Sequence, residues 1–416
     1  MICMRRVWIL VTFVCAIMAT GQSAEPARAD GSGSIPGSVA VQLERFTEQQ
    51  TAAGKFSGVV LVAKAGKPVV SAAYGLANRK TQTPIRMDTK FNLGSMPKMF
   101  TAVAIAQLAE SGKLRFDDPI IKYLPDYPDK KVAEKVTIHQ LLTHTAGFGN
   151  YFRPGFLERR LNTVKEYLAL VAEDPLIGEP GAQYQYSNSG YVVLGAIVES
   201  VSRQDFYDYV RDHIFRPAGM AETAFYTREE HVDNVATGYT SGQGLMILRP
   251  GQAPPSGNPT PPAGMVTRQQ GGSSSPQTSN SPVSLKDTDD MRPYRGSPAG
   301  GAYSTAGDLL KFVEALENHK LVNAHFLEML QEGKVATRQG GPRYGYGFNE
   351  WRVAGHRIVG HGGGAPGVNA MLQIYPDMGY SVIVLSNFDP PAAEDIAAKA
   401  RDLLLAGETT MPVQTK

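Results

Sequence analysis

Strand-like runs stand near both ends of this chain, and a long helical stretch separates them. Ser57–Ala63 and Pro68–Leu76 are apolar runs joined by Lys64-Ala65-Gly66-Lys67, which reads as a hairpin turn. Arg352–Val359, Val368–Tyr375 and Tyr380–Ser386 return at hairpin spacing, and the last is apolar enough throughout to be a central strand. Between them, Lys90 to about Arg216 follows a mostly helical pattern broken by Gly and Pro. Ser38–Gly54, with Val41, Leu43 and Phe46 at helical spacing, and the amphipathic Ala392–Leu405 add a helix at each end. The fold class that satisfies this order is α/β of the α+β kind. It has an antiparallel sheet of five or more strands flanked by the terminal helices, and a mostly helical domain inserted. The expected division assigns residues 38–89 and 335–408 to the sheet and 90–334 to the helical insertion, with an active site between the two.

Composition excludes several classes. Apolar residues make up 42% and charged residues 19%, so the chain as a whole is neither disordered nor a coiled coil. Lys and Arg number 41 against 39 Asp and Glu, and without Arg5 and Arg6 the charges balance. No field of one sign is available to hold nucleic acid or an anionic membrane. Met4-Arg5-Arg6 followed by the apolar Val7–Ala19 reads as a signal peptide over residues 1–21, because a membrane span needs about 20 apolar residues. A short membrane anchor is the alternative. The expected localisation is periplasmic or secreted, with no membrane contact after cleavage. Both cysteines, Cys3 and Cys15, lie in that leader, so the mature chain has neither a disulfide framework nor a thiol nucleophile. About half of residues 249–280 are Pro, Gly or Ser, and the segment reads as a disordered insertion in the helical region.

Three short motifs bear chemistry. Ser95-Met96-Pro97-Lys98 precedes a strong helical run, and residues three apart share a helix face, so the Lys98 amine is expected beside the Ser95 hydroxyl. A desolvated lysine can activate a serine nucleophile. Taken alone, the motif also fits a capping serine and a solvated lysine. Tyr186-Ser187-Asn188 lies in a polar, aromatic loop before the apolar Val192–Val198. It can offer a proton-transfer group and a substrate hydrogen bond, or simply cap the helix. His361-Gly362-Gly363-Gly364 contains part of a G-x-G-x-x-G pattern, but a strand follows where a phosphate cradle needs a helix. Glycines in a strand instead allow close approach of a ligand and can present an amide to an oxyanion. No H-E-x-x-H or G-x-S-x-G occurs, so neither a zincin site nor a nucleophile elbow is expected.

Together, in this order, the three motifs resemble the serine β-lactamase-related family, which includes class C β-lactamases, D-Ala-D-Ala carboxypeptidases and β-lactamase-like esterases. Ile138–Gly147, Asp117-Asp118-Pro119 and Gly300–Thr305 extend the resemblance, which runs from about Phe56 to about Leu405. It implies a β-lactamase/transpeptidase-like fold and an acyl-enzyme on Ser95. Lys98 and Tyr186 would move the proton, Tyr186 as a phenolate. Asn188, His361, Gly363 and Gly364 would bind substrate, the Ser95 and Gly364 amides holding the oxyanion. No cofactor and no metal are implied.

The family's strand motif carries Lys where His361 stands and Thr or Ser where Gly362 stands, a change that weakens recognition of a free carboxylate. The expected function is therefore a secreted serine hydrolase of the esterase or peptidase type more than an efficient β-lactamase. Its substrate would be a small ester, amide or peptide, peptidoglycan-derived ones among them, and not nucleic acid. The alternative is a catalytically silent relative that binds peptidoglycan or a protein partner.

Overall fold

The computed structural model describes residues 37–242 and 284–409, so the apolar leader 1–21 and the Pro/Gly/Ser-rich stretch 249–280 lie outside the described residues. Helix α1 (Gly37–Ala52) leads into β1 (Gly58–Lys64) and β2 (Lys67–Tyr74). Ala65 and Gly66 between these strands both have positive φ, 48° and 74°, which matches the right-handed twist of a tight hairpin. Near the other end come β3 (Val335–Ala336), β4 (Arg343–Tyr344), β5 (Asn349–Val353), β6 (His356–Ala365), β7 (Val368–Tyr375) and β8 (Tyr380–Ser386). All eight form one antiparallel sheet in the order β2-β1-β8-β7-β6-β5-β4-β3. The two ends of the chain meet where β1 pairs with β8, Gly58 opposite Ser386 and Lys64 opposite Tyr380.

The sheet agrees with the expected fold class and corrects one strand. Arg352–Val359 is not continuous: Ala354 and Gly355, with φ of 51° and 86°, turn the chain back so that β5 and β6 are a hairpin. An alanine in the left-handed region gives little sequence signal of a turn.

Both faces of the central strands β1, β7 and β8 are covered, which explains why they are apolar with little alternation. Val59, Leu61, Ile383 and Leu385 pack into the core shared with the middle helices. Val60, Val62, Val382 and Val384 pack into the core shared with α1 and the last helix. Among the middle helices, α2 (Lys98–Glu110) is buried nearly all round, and α3 (Asn188–Ser202) packs against it. Helix α4 (Ala306–Glu317) has Thr305 as its cap, and α5 (Ala392–Thr409) closes the chain against β7 and β8. A helix buried on every side is apolar all round, so a lysine in its first turn is exceptional.

Strand β5 covers β6 only from His356 to Gly360. From His361 to Ala365 that edge of β6 carries no strand, and the backbone around Ser95 comes up against it instead.

Candidate active site

The Ser95 turn is held by backbone contacts. Phe91–Asn92 pairs with Tyr303–Ser304, the Leu93 N–H donates to the Ala302 carbonyl at 2.8 Å, and the Gly301 N–H donates to Gly94 at 2.8 Å. A Cβ on Gly363 would lie 2.0 Å from the Leu93 oxygen and 2.9 Å from the Ser95 nitrogen, so this approach of β6 tolerates only glycine. Ser95 itself precedes α2 by one tight turn, closed by the Lys98 N–H on the Ser95 carbonyl at 3.1 Å. Pro97 occupies the position just before the helix, where its missing N–H costs nothing.

Lys98 is fully buried, and its Nζ donates to Asn188 Oδ1 and to the Ala299 carbonyl, each at 2.6 Å. It stands 4.8 Å from the Tyr186 ring centre. Burial pushes its pKa well below the ordinary lysine value. A neutral amine has two N–H groups and one lone pair. Both N–H groups are satisfied here, and the lone pair remains.

Tyr186 is 6% exposed, and burial raises its pKa above the ordinary tyrosine value, while its interaction with the Ser95 side chain opposes that shift. With Lys98 lowered and Tyr186 raised, burial favours amine and phenol over ammonium and phenolate, contrary to the phenolate that the resemblance implied.

Asn188 opens α3 behind the cap Ser187, whose Oγ accepts the Gly190 N–H at 3.0 Å. Its Oδ1 takes the Lys98 bond, and its Nδ2 donates to Asn150 Oδ1 at 2.8 Å, leaving one Nδ2 hydrogen. Asn150 also accepts the Asn188 backbone N–H at 2.9 Å. No motif marks Asn150. The Ala299 carbonyl sits beside the Gly300–Thr305 stretch, which the sequence marks only through the resemblance. The same holds for His144, inside Ile138–Gly147: it is buried, and its ring centre lies 4.4 Å from that of Tyr186.

Ser95, Tyr186, Asn188 and Gly364 line one cleft of about 1130 Å³, together with Asn150 and Tyr151. His361, Gly362 and Gly363 are buried and do not line it. The His361 Nδ1–H donates to the Gly362 carbonyl at 2.5 Å, so Nε2 accepts from the Tyr344 hydroxyl at 3.0 Å. Burial pushes its pKa down to about 3, so it carries no charge at neutral pH. Arg343, another source of positive charge on the same sheet, is exposed and bonds the Gly333 and Lys334 carbonyls away from the cleft lining. Among the described residues no group of three His, Cys, Asp or Glu side chains is placed to hold a metal ion.

The sequence matches the Beta-lactamase family over residues 43–407. A penicillin-binding protein of Bacillus subtilis (strain 168) is 28% identical over 368 residues, covering 85% of this chain and 73% of that protein. The esterase EstB of Burkholderia gladioli is 29% identical over 337 residues, covering 75% of this chain and 79% of the esterase. Among solved structures, the penicillin-binding protein from Bacillus halodurans superposes with a TM-score of 0.68 at 29% identity, over 88% of this chain and 99% of its own. With a match of that length and an antiparallel sheet and helices shared with a solved relative, the chain belongs to the beta-lactamase family of serine hydrolases.

Proposed function

We propose that this protein is a periplasmic or secreted hydrolase that cleaves ester or amide bonds through an acyl-enzyme on Ser95. The observation that carries the reading is the fully buried Lys98, one tight turn after Ser95 and 4.8 Å from the Tyr186 ring centre, whose N–H groups are both engaged by carbonyl oxygens. As Ser95 Oγ attacks the carbonyl carbon, its proton passes to the Tyr186 oxygen and the phenol's own proton passes to the Lys98 lone pair. The carbonyl π electrons move to oxygen, and the amides of Ser95 and Gly364 receive that oxyanion. Loss of one such donor costs roughly 2.7–4 kcal/mol of barrier. Collapse expels the alcohol or amine, which leaves with the proton returned along the same path. Water, activated by the same pair, then releases the acid and restores Ser95. In this reading the sheet residues and the inserted helical residues 90–334 are the two bodies that form the cleft.

The neutral, buried His361 supports an esterase or peptidase over an efficient β-lactamase, because no charge is offered from that position to a substrate carboxylate. A catalytically silent binder has no use for the Ser95, Tyr186 and Lys98 arrangement. Secretion rests on the leader sequence alone. Labelling by a fluorophosphonate, lost in Ser95→Ala, is the expected result. Hydrolysis of p-nitrophenyl esters, nitrocefin and D-Ala-D-Ala peptides then ranks the activities. Turnover by folded Ser95→Ala within about tenfold of wild type, about 1.4 kcal/mol of barrier, would remove Ser95 from the mechanism.

A further inference from the structure

Among the described residues three large hydrophobic side chains are exposed, and two of them lie on the cleft that holds Ser95. Phe152 is 42% exposed and Ile177 59%, whereas the third, Val41, is on α1 outside the cleft lining. Single exposed apolar groups need no explanation, but a cluster at the mouth of a cleft does. Phe152 packs at a tilt against Tyr151 and edge-on against Phe156, with ring centres 4.7 and 5.3 Å apart, and Leu157 and Pro175 extend the same lining.

This wall is built, and the guanidinium within it is paired. Arg153, next to Phe152, donates to Asp174 at 2.6 Å and to Glu173 at 3.2 Å, which ties the Phe152 loop to the segment that carries Ile177. The Ile177 N–H donates to the Gly147 carbonyl at 2.8 Å, and a Cβ on Gly149 would rest 3.4 Å from Ile177 Cδ1. The positive charge of Arg153 is thus spent within the wall. Phe152 also follows closely on Asn150, whose amide holds Asn188 against Lys98, so the apolar surface begins beside the reacting groups.

We propose that Phe152 and Ile177 form an apolar subsite and that the preferred substrate carries a bulky, neutral, apolar group, either a medium-length acyl chain or an aryl or alkyl alcohol. The proposal rests on the Ser95 hydrolase reading and deepens it. Each methylene buried against such a wall favours binding by about fourfold. That gain raises kcat/KM when the group is held in the transition state.

The experiment measures kcat/KM over two series, p-nitrophenyl esters from acetate to octanoate and alkyl acetates from methyl to octyl. At least one series should rise by about tenfold or more with chain length, and the ratio of its longest to its shortest member should collapse toward one in the double variant Phe152→Ser with Ile177→Ser. Ile177→Ser alone, at the more exposed position, should give an intermediate ratio and guards against a folding defect. Flat series in wild type, or a double variant as steep as wild type, overturns the subsite. So does a D-Ala-D-Ala-terminated peptide or nitrocefin turned over with a higher kcat/KM than any ester. Acetate hydrolysis that persists in Ser95→Ala would instead overturn the hydrolase reading, so the two failures are told apart.

Discussion

The imidazole Nδ1 of His144 accepts the backbone N–H of Ser187 at 3.1 Å, while the His144 carbonyl accepts that of Gln185 at 2.7 Å. One residue therefore fixes the peptide on both sides of Tyr186. Nδ1 can accept only while it is unprotonated, so the hydrogen sits on Nε2, which meets no acceptor among the described residues and lies within the rings of Tyr184, Tyr186, Tyr191 and Tyr344. Burial holds the imidazole well below its ordinary pKa and keeps it neutral.

Replacing His144 separates its ring from its acceptor. His144→Phe leaves the Ser187 N–H buried without a partner, at a cost of about 1–3 kcal/mol. The position has φ of 58°, which asparagine tolerates better than phenylalanine. His144→Asn, with Oδ1 near the place of Nδ1, should keep most of the activity and melting temperature. His144→Phe should lower kcat by roughly 10–100-fold with a smaller change in KM. Equal losses in both variants, in step with their melting temperatures, would reduce His144 to a packing residue.

Lys98→Arg tests the neutral base. Arginine stays protonated in proteins, so the buried site would hold a permanent charge without a carboxylate opposite it. The expected result is loss of turnover by at least about a hundredfold, together with lower stability. In wild type, activity should rise with pH through the Lys98 pKa, and the lowering by burial places that acid limb below the ordinary lysine range. A Lys98→Arg enzyme of near-normal activity would contradict a role for the lysine lone pair.

Acid should destabilise the fold through His361. Its folded pKa of about 3 lies below the unfolded value near 6.5. Between these values the unfolded chain binds more protons, so stability is full above pH 6.5 and is lost progressively as pH falls toward 3. The loss is on the order of a few kcal/mol. Thermal unfolding of wild type and His361→Gln from pH 7 to pH 4 reads this directly, and the variant should show the shallower slope. Parallel slopes would mean that other groups dominate.

Two neighbouring glycines should respond differently. A Cβ on Gly363 meets the Leu93 backbone oxygen at 2.0 Å, whereas one on Gly364 meets only Pro390 Cγ at 2.9 Å. Gly363→Ala is expected to yield little folded protein. Gly364→Ala should fold with a modest fall in melting temperature and reduced kcat, because the added methyl group projects beside the proposed oxyanion donor. Soluble expression and circular dichroism, followed by kcat on p-nitrophenyl acetate, separate the two.

What was legible in the chain was what local order determines. Apolar runs at Ser57–Ala63 and Tyr380–Ser386 named strands because a sheet buried on both faces needs them, and their distance apart in sequence required an insertion. That Ser95 and Lys98 lie one tight turn apart could be read from their spacing, and the Lys98 N–H closes that turn on the Ser95 carbonyl at 3.1 Å. The two-residue strands Val335–Ala336 and Arg343–Tyr344 carry too little pattern to be seen, and the Ala354-Gly355 turn is hidden by an alanine.

Only the tertiary structure decided the electrostatics of the site. Lys98 donates its hydrogen bonds to Asn188 and Ala299, far along the chain, and the same packing that supplies these acceptors removes water and lowers its pKa. The sequence by itself determined which side chains are available and in what order. Whether Lys98 and His361 are charged, and whether Asn188 faces substrate or lysine, follows from burial and long-range contact, because desolvation depends on everything that surrounds a group in space and not on its neighbours in the chain.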